Sequence, residues 1–147
     1  MRKNLTYKQA HRSKAAEVFP LLCPVREVEW LDGWDFAMIH SDSGLVEKGC
    51  VFSTSHHGKT ETLWVVTTHD TINHLVEFVR FTPQESIVQI RIQVSDTPDG
   101  SESNINYTYT GLKPNILINL EEEFENNMIW WEKSINHFLA TGKKLER

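Results

Sequence analysis

The chain has 147 residues, 39% of them apolar and 24% charged, which is typical of one globular domain and not of a disordered segment. Its net charge of −5 disfavours nucleic acid and anionic membranes as partners, because both select clustered lysine and arginine. No apolar run approaches the roughly 20 residues that span a bilayer. Two cysteines, Cys23 and Cys50, without a leader-like segment, indicate reduced thiols in a cytoplasmic protein.

The first predicted elements are a strand and two short helices. Residues 3–9 alternate between polar and apolar side chains, which predicts a half-buried strand. Ser13 is a candidate N-cap for the first short helix. Pro24 suits the first turn of a second short helix that runs through Val28. Asp32 and Gly33 then predict a turn.

Six further strands are predicted after that turn. Their ranges are 34–41, 49–56, 60–69, 72–82, 86–96 and 101–112. The clearest alternation runs from Val88 to Val94, where every second residue is valine or isoleucine and the residues between are polar. This pattern is typical of an antiparallel sheet with one face toward water and the other toward a core. Residues 98–100 (Pro-Asp-Gly) predict a hairpin turn.

The last predicted element is a helix of roughly 25 residues that opens at Pro114 and Asn115. Its apolar stripe advances in steps of three and four residues. The stripe consists of Leu117, Leu120, Phe124, Met128, Trp131, Ile135 and Phe138. Glutamates at 121–123 near its start and Gly142 at its end have the polarity that the helix dipole favours.

This element order predicts an α+β fold over residues 1–147, in which a curved antiparallel sheet wraps around the long C-terminal helix. An amphipathic sheet, a striped helix and many inward aromatic residues favour a cavity between them for an apolar ligand. The predicted lining residues are Phe36, Met38, Phe52, Ile90, Ile92, Tyr107, Tyr109, Phe124, Met128 and Trp131.

The order and local sequence resemble the START-like superfamily, also called the SRPBCC or birch-pollen-allergen-like fold. The resembling segments are 18–27, 30–34, 49–52, 64–67, 79–83 and 107–112. The resemblance implies a seven-stranded helix-grip fold with two short helices after the first strand. That superfamily includes lipid and hormone carriers, polyketide cyclases and aromatases, and activators of the heat-shock ATPase. The chain looks most like its uncharacterised small prokaryotic members, so the resemblance implies a fold without selecting a function.

The histidines are the first candidates for metal ligands. His56 and His57 are adjacent, so in a strand their side chains point to opposite faces and do not form a ligand pair. His69 and His74 flank a short turn beside Asp70, where the alternatives are a metal site and ordinary surface histidines. The second is the commoner case, and we expect no metal. The sequence also contains no phosphate loop or nucleophile elbow, and we expect no cofactor.

The remaining candidates for chemistry are His40, Tyr107 and Tyr109. His40 shares its predicted strand face with apolar residues, so it is either a general base facing the cavity or a strand-end histidine bound to water. The alternation points both tyrosines inward, as core residues or as ligand contacts. The pattern does not separate the faces of Glu77 and Arg80. An inward Arg80 would be the counter-charge for an acidic ligand, and an outward one would be a solvated rim residue.

Three functions therefore remain open. The favoured one is binding of a hydrophobic or aromatic small molecule. The first alternative is a polyketide cyclase-, dehydratase- or isomerase-like enzyme that uses the same cavity without a metal. The second alternative is a protein-interaction module, such as a chaperone activator or a homodimer, which would need an exposed patch around Trp30, Trp34 and Trp130.

Overall fold

The computed structural model describes residues 1–55, 60–116 and 118–147. The strands are β1 (Arg2–His11), β2 (Ala37–His40), β3 (Val51–Ser55), β4 (Glu61–Asp70), β5 (Leu75–Thr82), β6 (Ser86–Thr97) and β7 (Gly100–Gly111). The helices are α1 (Ala15–Val18), α2 (Pro24–Trp30) and α3 (Leu120–Thr141), with a 3₁₀ turn over Phe19–Leu21 between α1 and α2. Antiparallel pairing gives a seven-stranded sheet in the order β1-β7-β6-β5-β4-β3-β2. The predicted helix-grip fold is confirmed.

The centre of the sheet follows directly from the alternation in β6. Val88 and Val94 are at most 1% exposed, whereas Gln89 and Arg91 between them face outward. Ile90 lies opposite Tyr107 on β7, so the apolar face continues across the strands. Pro98 and Asp99 form the predicted turn between β6 and β7.

Helix α3 is fastened to the edge strand β1 by hydrogen bonds. The buried Gln9 side chain donates to the Met128 carbonyl oxygen over 2.9 Å. The Ala10 backbone N–H donates to the Glu132 carboxylate over 2.6 Å, and the Asn136 amide donates to the Ala10 carbonyl over 3.0 Å. These bonds hold the helix across the sheet, and the helix residues Phe124, Met128 and Ile135 are buried.

The N-cap prediction for α1 is wrong. Lys14 occupies the N-cap position, and the Asp96 carboxylate on β6 accepts the Ala15 N–H over 2.8 Å. The Ser13 carbonyl oxygen instead accepts a hydrogen bond from the Ser101 hydroxyl over 2.7 Å. The first free N–H group of α1 is thus hydrogen-bonded to an acidic residue far away in the sequence, and a local sequence pattern does not reveal such a partner. The start of α2 at Pro24 is as predicted.

The start of α3 was predicted too early. Asn115 and Asn119 have φ angles of 63° and 59°, in the left-handed region, so a helix cannot continue through them. The helix therefore begins at Leu120, and Leu117 lies outside the described residues. Its end is as predicted, with Gly142 at φ 72° and its N–H bound to the Phe138 carbonyl over 2.7 Å.

Strands β2 and β5 are shorter than predicted. Strand β2 covers Ala37–His40 only, and its pairing with β3 shifts register between Met38 and His40. Strand β5 begins at Leu75, because His74 has a φ of 54° and belongs to the preceding turn. Among the described helices, none has both the length and the apolar character needed to cross a membrane.

Candidate ligand-binding cleft

A cleft of about 450 Å³ lies between the inner face of the sheet and α3. Strands β4, β5 and β7 form one wall, and α3 forms the other. Its aromatic and charged lining residues, together with Met128, are Trp34, Asp35, Trp64, Arg80, Glu85, Tyr107, Tyr109, Glu123, Phe124, Met128 and Trp131. The volume is within the range of small-molecule sites in proteins, roughly 300–1,000 Å³.

Aromatic rings set the shape of the cleft. Trp64 stacks on Phe52 with 5.3 Å between ring centroids, and Trp34 meets the Trp64 ring edge-on at 6.2 Å. The Trp64 indole N–H donates to the Thr54 hydroxyl over 3.0 Å, and the Trp34 N–H donates to the Pro24 carbonyl over 2.9 Å. Because their polar atoms are already bonded, these tryptophans offer a ligand apolar ring surface.

Arg80 faces inward and lies at the centre of this ring cluster. Its guanidinium carbon is 5.3 Å from the Trp64 ring centroid, 5.8 Å from that of Tyr109 and 5.9 Å from that of Tyr107. These are cation–π distances. Within the described part of the chain, no carboxylate lies within 4.0 Å of the Arg80 side chain.

Glu77 lies on the face of β5 opposite to that of Arg80. Its carboxylate lies 3.4 Å from an Arg91 guanidinium nitrogen on the outer side of the sheet. Glu77 therefore belongs to the outer surface, and the question that the sequence left open is answered for both β5 residues. Three carboxylates, of Asp35, Glu85 and Glu123, also line the cleft, so Arg80 is the one cation beside three acidic residues among the lining residues that the structure describes.

A second, inner cavity of about 20 Å³ adjoins the cleft. Trp34, Trp64, Tyr107 and Trp131 line both spaces. The other residues around the inner cavity are Leu22, Glu27, Phe52, Phe78, Ile90 and Ile92. Apart from Glu27 and Tyr107, the residues that line it are aliphatic, phenylalanine or tryptophan.

Glu27 is the site residue that the sequence reasoning missed. It is 8% exposed, and within the described residues its carboxyl has no hydrogen-bond or ion-pair partner. Burial raises the pKa of this carboxyl to about 8, so it is mostly protonated at neutral pH. A signal was present in the sequence, because Glu27 stands three residues from both Pro24 and Trp30, which form the buried face of α2.

The two tyrosines remain neutral hydroxyls. Burial raises the pKa of Tyr107 and of Tyr109, although the Arg80 charge acts in the opposite direction on both. Their rings are 5.8 Å apart, and Tyr107 also meets Phe124 on α3 at 5.0 Å. The hydroxyls can therefore donate hydrogen bonds, but neither is ionised at neutral pH.

Most of the predicted lining residues surround these two spaces. Phe52, Ile90 and Ile92 border the inner cavity, Tyr109, Phe124 and Met128 border the cleft, and Tyr107 and Trp131 border both. Phe36 and Met38 border neither: Phe36 packs edge-on against Phe52 at 6.3 Å, and Met38 lies against Cys50. Contact of any of these residues with a ligand remains a prediction.

His40 does not face the cleft. Its side chain is 62% exposed, and its Nε2 lies 3.5 Å from the Asp42 carboxylate. The register shift after Met38 interrupts the alternation that the sequence pattern assumed. The structure therefore separates His40 from Tyr107 and Tyr109, and the predicted inward orientation is corrected.

Among the described residues, His69 and His74 lie beside an aromatic ring and not around a shared acidic ligand. His69 and His74 both pack against the Phe19 ring, with centroids 5.4 and 5.3 Å away. The Asp70 carboxylate accepts backbone N–H groups of its own turn. Across residues 1–55, 60–116 and 118–147, no three His, Cys, Asp or Glu side chains are placed to share a metal ion. His56 and His57 lie outside the described residues.

The tryptophan patch expected of an interaction module does not form. Trp30 is fully buried, donates to the Leu21 carbonyl over 2.9 Å and meets the Trp131 ring edge-on at 6.1 Å. Trp130 is half-buried beneath the Arg147 guanidinium, 4.7 Å from its ring centroid. The short helix α2 turns Trp30 toward α3, which removes it from the surface. Homodimer formation remains a prediction.

No family model matches the chain, and no curated protein matches it in sequence. Solved structures do resemble it. Ara h 8.0201 superposes with a TM-score of 0.72 at 12% identity, covering 96% of this chain and 99% of the other. Norcoclaurine synthase from Thalictrum flavum gives 0.70 at 15%, covering 96% and 88%. An uncharacterised Rhizobium leguminosarum protein gives 0.73 at 10%, covering 95% of each. At such identities the likeness shows the fold alone, which is the one that the START-like resemblance implied.

Proposed function

We propose, from a helix-grip fold with an aromatic cleft, that this protein binds a hydrophobic or aromatic small molecule between the sheet and α3. The observation that carries the proposal is the 450 Å³ cleft, which Trp34 and Trp64 line with ring surface while their indole N–H groups are bonded elsewhere. Burial of a ligand ring against such surface is favourable at about 25 cal/mol per Å² of apolar area.

The polar contact of the ligand is assigned to Arg80. A guanidinium that is enclosed by three rings and has no carboxylate within 4.0 Å in the described residues is suited to an acidic group on the ligand. The carboxylates of Asp35, Glu85 and Glu123 line the same cleft, so a ligand with several negative charges would be repelled. This charge pattern favours an aromatic molecule with a single acidic group.

A structural neighbour supports the ligand class. The norcoclaurine synthase from Thalictrum flavum has been solved with dopamine and hydroxybenzaldehyde, which are small aromatic molecules. That structure shares the fold at a TM-score of 0.69 and 16% identity. The likeness makes an aromatic ligand reasonable for this cleft, and it does not transfer the neighbour's reaction.

Two fluorescent dyes test the proposal. Anionic 8-anilinonaphthalene-1-sulfonate and neutral N-phenyl-1-naphthylamine should both bind saturably at one site. Replacing Arg80 with Met should weaken the anionic dye roughly tenfold to a hundredfold, the value of a charged hydrogen bond, and leave the neutral dye nearly unchanged. Arg91→Met is the matched control, because Arg91 lies on the outer face and should affect neither dye.

Each outcome has a distinct meaning. Absence of saturable binding for both dyes in the wild-type protein would refute a ligand-binding cleft. Equal loss of both dyes in Arg80→Met would show that this residue maintains the shape of the cleft and does not bind the acidic group. Similar effects of the Arg80 and Arg91 substitutions would mean that the dyes bind elsewhere on the surface.

An enzyme of cyclase, dehydratase or isomerase type is the second candidate. One observation favours it: Arg80 and the hydroxyl-bearing rings of Tyr107 and Tyr109 converge on the same cleft. Incubation with a panel of β-hydroxy ketones and linear poly-β-ketones, followed by mass spectrometry, tests it. Turnover that disappears in Tyr107→Phe or Tyr109→Phe would support the enzyme, and no turnover of any panel member would count against it.

A further inference from the structure

The carboxyl group of Glu27 is without a polar partner among the described residues. It stands on α2, is more than nine-tenths buried and borders the inner cavity of about 20 Å³. Buried polar groups in proteins are nearly always hydrogen-bonded, so an unpartnered one that borders a cavity needs an explanation. The simplest is that the partner is supplied by a ligand.

The size of the inner cavity limits that partner. A volume of about 20 Å³ is little more than one water-sized sphere, so it admits a single oxygen atom and no ring. Trp34, Trp64, Tyr107 and Trp131 border both this space and the cleft. A ligand whose ring system occupies the cleft can therefore extend one small polar group into the inner cavity.

We propose that Glu27 and Tyr107 together donate hydrogen bonds to a carbonyl oxygen of the ligand, which narrows the ligand class to aromatic ketones, enones and quinones that also carry the acidic group assigned to Arg80. This inference rests on the proposed binding function and specifies its deepest contact. Two O–H donors that converge on one oxygen within apolar walls are the arrangement that recognises a carbonyl group.

The charges around the cavity favour a carbonyl oxygen over an ammonium group. Among the lining residues, α2 contributes Glu27 and β7 contributes Tyr107, while the sheet strands β3 to β6 and α3 contribute uncharged side chains. The Arg80 guanidinium carbon lies 5.9 Å from the Tyr107 ring centroid, and its charge would repel a ligand ammonium. The carboxylates of Asp35, Glu85 and Glu123 line the outer cleft and do not border the inner cavity. Burial keeps Glu27 protonated at neutral pH, as a hydrogen-bond donor requires.

The test uses a pair of naphthalene dyes that differ in the carbonyl group. The ketone is 6-propionyl-2-(dimethylamino)naphthalene, whose emission shifts to the red when its carbonyl accepts hydrogen bonds, and the reference is N-phenyl-1-naphthylamine. Ketone affinity should fall about tenfold between pH 7 and pH 9, as Glu27 ionises around a pKa of about 8. The affinity for the reference dye should change little over that range.

Variants separate the roles of charge, donor and shape. Glu27→Gln retains an N–H donor, so it should bind the ketone without the loss above pH 8. Glu27→Leu should lose the ketone preference and the red shift at all pH values, and Tyr107→Phe should lose part of both. Glu29→Gln is the matched control, because Glu29 lies on the same helix, exposed and paired with Arg26 at 2.7 Å, and it should keep the wild-type pH profile.

The inference and the proposed function fail in different ways. If neither dye binds the wild-type protein, the proposed function fails. If the reference dye binds but the ketone shows no preference, no red shift and no dependence on Glu27, only the carbonyl contact fails. Tighter binding of a cationic probe such as 1-naphthylmethylamine at pH 9 than at pH 7 would assign Glu27 to an ammonium group instead and overturn the inference. If Glu27→Leu does not fold, the pH profile of Glu27→Gln decides alone.

Discussion

The buried Glu27 carboxyl predicts that the protein loses stability as the pH rises from acid to mildly alkaline values. In the unfolded chain this group has an ordinary pKa near 4.5, and burial raises it to about 8 in the folded protein. Between these two values the folded state holds a proton that the unfolded state has released. The free energy of unfolding must therefore decrease with pH in that window, by about 1.4 kcal/mol per unit for one proton.

The size of the effect follows from the window that is measured. Between pH 6.5 and pH 8 the contribution of Glu27 to the free energy of unfolding should fall by about 2 kcal/mol and then level off above pH 8. Other titrating groups change stability over the same range, so the quantity to compare is the difference between wild-type protein and Glu27→Gln. That difference isolates the one carboxyl, because the amide does not titrate.

Urea unfolding monitored by tryptophan fluorescence at half-unit pH intervals provides the measurement. Wild-type stability should decline relative to Glu27→Gln, and Glu29→Gln should follow the wild-type curve, because Glu29 is exposed and ion-paired. Parallel curves for wild-type and Glu27→Gln protein between pH 6.5 and pH 8 would refute the reasoning. A constant offset between the curves would not matter, since it reports the packing of the amide and not the titration.

Three further predictions concern the edge of the sheet. The buried His11 ring lies 2.9 Å from the Ser103 hydroxyl, and burial lowers its pKa to about 4. As the pH falls, the unfolded chain takes up a proton before the folded protein does, so the free energy of unfolding should fall by about 3 kcal/mol from pH 6.5 to pH 4. In urea titrations His11→Gln should lack this loss. Gln9→Leu removes the bond to the Met128 carbonyl and leaves that acceptor buried, so the free energy of unfolding should drop by about 1–3 kcal/mol, whereas the exposed Lys8→Leu should change it by less than about 0.5 kcal/mol. Gly100→Ala should lower the thermal midpoint, since its methyl group would overlap the His11 carbonyl oxygen, and an unchanged midpoint would contradict that close approach.

The sheet was predictable because its signal is local and periodic. The alternation between Val88 and Val94 specifies a face at every second residue, and only one register keeps that face buried. Strand β5 has no such alternation, because both of its faces carry apolar residues: Val79 and Phe81 on one face, Val76 and Phe78 on the other. The inward position of Arg80 is therefore set by pairing with β4 and β6, and the strand's own sequence does not specify it.

The parts that sequence reasoning placed wrongly depend on distant partners or on backbone conformation. The left-handed conformation of Asn115 and Asn119 delays the start of α3, and the hydrophobic periodicity of the sequence does not predict that conformation. Glu27 stands on a seven-residue helix, too short for a periodic stripe to separate its buried face from its exposed one. An acidic residue is ordinarily solvated, so the three-residue spacing of Glu27 from Pro24 and Trp30 is by itself too weak a signal to predict its burial.

The attachment of β1 also determines when the fold can be completed. This strand pairs with β7, and its Gln9 is bonded to a helix residue 119 positions further along the chain. During synthesis the first strand leaves the ribosome early but has no native partner until β7 and then α3 have followed it. Closure of so long a loop has a large entropic cost, so folding should be slow compared with a helical bundle of equal size. Until β7 has been made, the unpaired edges of β1 are open to pairing with other chains, so this topology exposes its first strand to misassembly.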